Sequence, residues 1–223
     1  MKIRPLAILT LIVLLGTILW LVLMVASGIP ETFEAALEQV TRQGLLFNLV
    51  YLNAAFLVTL PVTLWMALLY ANCRHRLPEW AAWIGLICVP VYGTLNLLVY
   101  LSQITLVPQL VEMHQQAETR AAAEALLRVF IQDLPGSTVG FFNGLAYGIL
   151  GIPSIIFGIE LARRRSASLR VGGVLLALNG VACLTAVAGS LLGLASLEFG
   201  SVLGGGLFLL ALFPLTWAFF TGR

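Results

Sequence analysis

The chain has 223 residues, 60% of them hydrophobic and 10% charged, with a mean hydropathy of +1.01. Soluble domains carry charge on about a quarter of their residues, so this composition excludes a water-soluble globule. The net charge of +2 is small and dispersed, which excludes the concentrated basic face on which nucleic-acid binding depends.

Leu6 to Ser27 is an uncharged run of 22 residues. At about 1.5 Å of rise per residue it extends about 33 Å as a helix, enough for a hydrocarbon core of about 30 Å. Lys2 and Arg4 before it, and Val25-Ala26-Ser27 at its end, have the look of a cleavable signal peptide. A signal peptide's apolar core is about 7 to 15 residues, however, so the longer run here is expected to stay as the first span. Apolar runs then recur over residues 45–70, 81–107, 139–161, 169–195 and 202–220, charged only at Glu160 and Arg170, each at the edge of its run. Open strands would leave backbone groups unpaired in lipid, and the alternation of a barrel strand is missing. The expected fold is therefore all-α: one membrane domain over residues 1–223, a bundle of six transmembrane helices.

The connections orient the bundle through the excess of Lys and Arg on cytoplasmic loops. Nine of the twelve basic residues fall on one side: Lys2, Arg4, Arg74, Arg76, Arg163, Arg164, Arg165, Arg170 and Arg223. The other side holds Arg42, Arg120 and Arg128 with eight of the ten acids: Glu31, Glu34, Glu38, Glu112, Glu118, Glu124, Asp133 and Glu198. Both termini are thus expected in the cytoplasm, with the chain in a bacterial inner (plasma) membrane and the lipid bilayer as its first partner.

Two outer connections carry helical patterns. In residues 30–43, Phe33, Leu37 and Val40 recur at helical spacing, with Pro30 at the first helical position and Gly44 as the stop. In residues 109–132, Leu110, His114, Ala117, Ala121 and Ala125 share one face. These predict two short amphipathic helices on the extracytoplasmic side, serving either as interfacial segments or as a lid.

Chemistry-bearing residues are sparse. Glu160 precedes Arg164 by four residues, the spacing of an interfacial ion pair rather than of a proton path. The topology puts His75 and His114 on opposite sides, so they share no metal or haem. Cys73, Cys88 and Cys183 are dispersed in apolar stretches and read as small buried hydrophobes. Asp133 is the single aspartate, no nucleophile elbow precedes a helix, and no glycine cluster ends in the Lys-Ser/Thr of a phosphate loop. No catalytic residue, metal ligand or cofactor is expected.

What remains is polar and neutral. Tyr92, Asn96, Tyr100 and Gln103 lie four, four and three residues apart, on one face of the third span. Asn48, Asn53, Thr59 and Thr63 fall on the second span, Asn143, Tyr147 and Ser154 on the fourth, and Asn179, Thr185 and Ser190 on the fifth. Two readings stay open: hydrogen-bonding glue between helices, worth about 0.6 to 2 kcal/mol per contact, or an uncharged cavity between spans 2 to 5 lined by Tyr92, Asn96, Tyr100, Gln103, Asn143 and Tyr147. Gly140, Gly144 and Gly148 on span four, and Gly189 and Gly193 on span five, repeat the four-residue spacing that lets helix backbones approach. Pro61, Pro90, Pro153 and Pro214 fall within spans, where each removes a backbone hydrogen bond. Arg163, Arg164, Arg165 and Arg170 form a basic loop able to contact anionic lipid headgroups.

The stretch Tyr100-Leu-Ser-Gln103-Ile-Thr105-Leu-Val-Pro108, a polar amphipathic segment, and Leu134-Pro-Gly136 leading into Gly144-Leu-Ala-Tyr147-Gly148 resemble an uncharacterised family of small bacterial six-span membrane proteins. The resemblance is strongest over residues 92–160. It implies six spans and a bacterial origin, and lends no activity. The functional expectation is a non-enzymatic structural or accessory component packing through small-residue helix faces, as a homo-oligomer or beside a larger membrane complex. The alternative is a binder or transporter of a neutral small molecule or lipid.

Overall fold

The structure is a computed structural model that describes residues 4–222, the side chains of residues 4, 195 and 198 excepted. Lys2 and Arg223, counted above on the inner side, lie outside the described residues, as do the side chains of Arg4 and Glu198. All regular structure among the described residues is helical: α1 Arg4–Ser27, α2 Phe33–Arg42, α3 Gly44–Leu52, a π-helical turn Asn53–Thr59, α4 Leu60–Cys73, a 3-10 turn Arg74–Arg76, α5 Glu79–Gln115, α6 Arg120–Phe130, α7 Thr138–Ala162, α8 Ala167–Leu192, α9 Ala195–Glu198 and α10 Gly200–Thr221. Six helical stretches are long and apolar enough to cross a membrane: Pro5–Ser27, Gly44–Arg76, Glu79–Gln115, Thr138–Ala162, Ala167–Leu192 and Gly200–Thr221. This is the architecture of a multi-pass membrane protein.

Several boundaries depart from the sequence expectation. The third span does not stop at Val107 but continues through Pro108 to Gln115, since a proline forfeits one backbone bond and a long membrane helix tolerates that loss. The chain breaks instead at residues 116–119, where Thr119 Oγ1 donates to the Met113 carbonyl at 2.6 Å. The expected outer segment 109–132 is therefore divided: its first residues complete α5, and α6 turns Ala123 and Leu127 inward. His114 and Ala121 consequently lie on different helices.

The helix expected over residues 30–43 begins at Phe33, not at Pro30. Thr32 caps it, accepting from the Ala35 N–H at 3.2 Å, and Phe33, Ala36 and Val40 are its buried positions. Gly44 does not stop a helix but opens α3. The fifth span stops at Leu192, three residues short of the expected Ala195, because Gly193 takes the left-handed conformation at φ 67° and its N–H closes on the Gly189 carbonyl.

The chain divides into two compact units, 1–15 with 60–94 and 144–223, and 16–59 with 95–143. In the first, the Trp65 Nε1–H donates to Thr10 Oγ1 at 2.9 Å and its ring stands edge-on to Phe208, centroids 5.9 Å apart. Helices α7 and α8 meet there along glycines. A Cβ on Gly151 would lie 2.7 Å from the Gly180 carbonyl oxygen, and one on Gly158 would lie 2.7 Å from that of Gly173. Gly151 and Gly158, like Gly173 and Gly180, are seven residues apart, two helical turns, so each helix returns a glycine to the same seam. Gly204 of α10 passes over α8 in the same way, its absent Cβ 2.7 Å from Cys183 Sγ.

The second unit is organised by an apolar cluster that includes Phe33, Phe47, Val50, Val107, Leu127 and Ile131. Gly28, at φ 77°, ends α1. The Gln39 amide secures that end, donating to the Ser27 carbonyl at 3.1 Å and the Gly28 carbonyl at 2.9 Å. Arg128 of α6 lies over the Phe33 ring, 4.4 Å from its centre, and is held by Glu124 at 2.8 Å.

Candidate functional site

The six residues expected to line a polar cavity fall into both units. Tyr92 and Tyr147 belong to the first, where their rings stand 5.8 Å apart. Asn96, Tyr100, Gln103 and Asn143 belong to the second, and the polar groups there behave in two distinct ways.

Some are fastened. Gln103 is fully buried and uses both ends of its amide: Nε2 donates to the Phe130 carbonyl at 2.9 Å, and Oε1 accepts from the Gln132 N–H at 3.1 Å. It thus pins the end of α6 to α5. Tyr51, whose ring is 6.3 Å from that of Tyr100, donates its hydroxyl to Asp133 Oδ2 at 2.5 Å. The Gln132 Nε2 amide donates to Asp133 Oδ1 at 3.2 Å. Burial raises the Asp133 pKa above the ordinary carboxylate value, and the hydrogen bonds from Tyr51 and Gln132 offset part of that rise. Asp133, counted from the sequence among the acids expected on the outer side, is hydrogen-bonded to Tyr51 of the second span.

Others have no partner. Asn96 is 0% exposed and Asn53 4% exposed, and in both residues neither Oδ1 nor Nδ2 finds a hydrogen-bond partner within the protein. Asn143 Oδ1 and Gln132 Oε1 are in the same condition. All six of these amide atoms belong to the second unit. The first unit supplies the contrast, for the buried Asn179 amide donates to the Gly204 carbonyl at 2.9 Å, just where α10 has no Cβ to block the approach. Buried amides in native proteins are nearly always paired, so Asn53 and Asn96 are the exception that calls for a reason.

The backbone around Asn53 is also exceptional. It opens the π-helical turn Asn53–Thr59, and Pro61, two residues beyond that turn, has no N–H to return to the carbonyl of Leu57. Gly16 accepts that carbonyl at close range, since any Cβ there would collide with it. Single π turns recur at functional positions because the extra residue re-aims side chains that a regular helix would stack. Sequence reasoning noted Asn53 on span two without placing it in the lining; Pro61 was the signal that marks the irregular turn.

The remaining expected residues disperse. Gly148 packs against Val187 of α8, its absent Cβ 2.5 Å from the valine Cγ2. Gly140 faces its own loop, where a Cβ would meet the Gln132 carbonyl oxygen at 2.5 Å. A Cβ on Gly144 or Gly193 would meet nothing within 4 Å, and Gly193 serves as a helix cap; Gly189 is buried and accepts that cap's hydrogen bond. Of the basic loop, Arg164 is folded inward onto the buried Glu160 at 3.0 Å, and Arg163, Arg165 and Arg170 are exposed. His114 lies edge-on to Phe33, with Nε2 4.0 Å from Glu124. No group of three or more His, Cys, Asp or Glu able to hold a metal occurs among the described residues.

Chemically, Asn53 and Asn96 offer unspent amide donors and acceptors, while the part-buried Asp133 carboxyl of the same unit is engaged by Tyr51 and Gln132. Compared with protein-family models, curated proteins and solved structures, the chain matches none.

Proposed function

We propose that this is a non-enzymatic multi-pass protein of a bacterial plasma membrane, and that its second unit binds a small neutral molecule through Asn53 and Asn96. Four amide atoms, buried and unpaired, carry the reading. Glue between helices requires bonded amides, as at Asn179 and Gln103, whereas a binding site keeps its polar groups unspent until a ligand arrives. The charge pattern of the loops supports cytoplasmic termini. On that orientation α2 and α6 are amphipathic helices on the extracytoplasmic side, the side of the second unit's loop at residues 131–137.

Native mass spectrometry of the protein released in mild detergent tests this reading. The wild type is expected to carry a neutral adduct that the Asn53→Leu/Asn96→Leu double variant loses. A wild type with no adduct, or an adduct retained by the variant, refutes it.

A second reading, an accessory component docking another helix in the membrane as a homo-oligomer or within a larger complex, is favoured by Gly144, Gly205 and Gly206. At each of these a Cβ would meet nothing within 4 Å, leaving small-residue positions uncovered by this chain. Chemical crosslinking in native membranes distinguishes it: a discrete higher-mass species supports docking, and an exclusive 24.1 kDa band opposes it.

A further inference from the structure

We infer that the arginines of two chain connections at one end of the first unit form a single surface that holds the phosphate headgroup of an anionic phospholipid. The inference concerns the other unit from the neutral-ligand reading and is independent of it. Residues 74–79, after α4, and 160–170, at the turn from α7 to α8, together hold six arginines and two glutamates. Arg164 is turned in to the buried Glu160 at 3.0 Å, so these two charges offset each other. Arg74, Arg76, Arg163, Arg165 and Arg170 are exposed, against one exposed carboxylate, that of Glu79.

The fold brings the two groups of arginines together. Cys73, the last residue of α4, is buried. Its sulfur accepts from the Arg164 guanidinium and lies within the electrostatic reach of both Glu160 and Arg76. Arg74 and Arg76 follow Cys73 directly in the chain, and Arg163 and Arg165 flank Arg164. The basic loop expected from the sequence thus gives up Arg164 to the interior and gains Arg74 and Arg76.

Two further observations point to a phospholipid. The surface lies at the ends of membrane-crossing helices: the stretch Gly44–Arg76 finishes in it, and Glu79–Gln115 starts beside it. There Trp80 and Trp83 are 68% and 51% exposed, with Tyr70 stacked 6.5 Å from Trp83. Exposed aromatic rings at the ends of apolar spans settle at the level of the headgroups. The second observation is that every basic side chain on the two connections other than His75 is arginine, with no lysine. Orientation of a span counts lysine and arginine alike. A phosphate does not, because the guanidinium offers its oxygens two parallel N–H bonds.

The test uses the full chain reconstituted in vesicles of equimolar dioleoylphosphatidylglycerol and dioleoylphosphatidylcholine. The protein is released in mild detergent at low salt, and the lipids it retains are counted by native mass spectrometry. One basic residue near a membrane surface changes affinity for anionic lipid about fivefold. Phosphatidylglycerol is therefore expected to outnumber phosphatidylcholine on the wild type by about fivefold or more. Arg74→Gln/Arg76→Gln and Arg163→Gln/Arg165→Gln are each expected to remove most of that excess. Arg42→Gln/Arg120→Gln, in the second unit, should leave it unchanged. Equal retention of the two lipids by the wild type overturns the inference. So does an excess that survives either of the first two pairs, or one that the second-unit pair removes as well. Should a double variant fail to fold, the single variants Arg76→Gln and Arg165→Gln replace it, each expected to lower the excess by about twofold or more, and an unchanged excess in either overturns the single surface.

Discussion

Replacing Asn96 by leucine should make this protein more stable. Leucine keeps the fork at Cγ and removes two polar atoms that the native interior leaves unpaired at 0% exposure. An unsatisfied buried polar group costs about 1–3 kcal/mol. In a membrane protein the unfolded reference also finds partners, which lowers typical polar contributions to about 0.6–2 kcal/mol. With two atoms relieved and some strain from the larger side chain, a net gain of about 1–3 kcal/mol is expected. For a chain of this size that corresponds to a rise of about 2–12 °C in melting temperature. The matched control is Asn179→Leu, which forfeits the 2.9 Å bond to the Gly204 carbonyl and crowds the place where α10 crosses α8; it should fall by about 1–3 kcal/mol. Both can be followed in detergent with a thiol-reactive dye, because Cys73 and Cys183 are buried and report unfolding. The reasoning is refuted if Asn96→Leu melts as low as Asn179→Leu, since that would mean Asn96 is bonded in the native protein.

The glycine seam and the Asp133 carboxyl give two further tests. Gly151→Ala should destabilise by about 1–3 kcal/mol, because its Cβ would lie 2.7 Å from a backbone oxygen of α8. Gly144→Ala, with nothing within 4 Å, should be neutral or stabilising by up to about 1 kcal/mol; equal melting temperatures for the two variants would count against the seam. The folded-state pKa of Asp133 is raised, so its contribution to stability is full below the ordinary carboxylate pKa of about 3.9 and is lost as pH rises through the raised value. The difference in melting temperature between wild type and Asp133→Asn should therefore shift against the wild type as pH increases from about 4 upward, and a difference that stays constant with pH rejects this assignment.

The long helices were legible because uncharged runs of this length have few other uses, and their positions follow from where charge stops. Pro108 misled the boundary of α5, since a rule learned from soluble helices treats proline as an end, whereas an intact membrane helix absorbs the single lost bond. The glycines were read at a spacing of four, which ranked Gly144 and Gly193 beside Gly148. The close approach of α7 and α8 is carried at a spacing of seven by Gly151, Gly158, Gly173 and Gly180. Tyr51 and Asp133 are separated by 82 residues, and no local pattern announces a pairing at that distance. Asn96 was recognised as a polar group on a shared face, but whether such a group is spent on a neighbouring helix is a fact about the neighbour. That distinction separates Gln103 from Asn96, and it becomes visible only with the chain folded.

The seam between α7 and α8 has a consequence for which sequences can occupy it. Where side chains interlock, a substitution can be compensated by a change of size opposite, and there are many routes between solutions. At Gly151, Gly158, Gly173 and Gly180 the obstacle is the facing main chain, which no substitution can trim. Every alternative amino acid brings a Cβ and meets the same collision. These four positions are thus closed to stepwise drift in a way that the exposed leucines and valines of α8 are not, and an encoded change at any one of them must be answered by separating the two helices along their length.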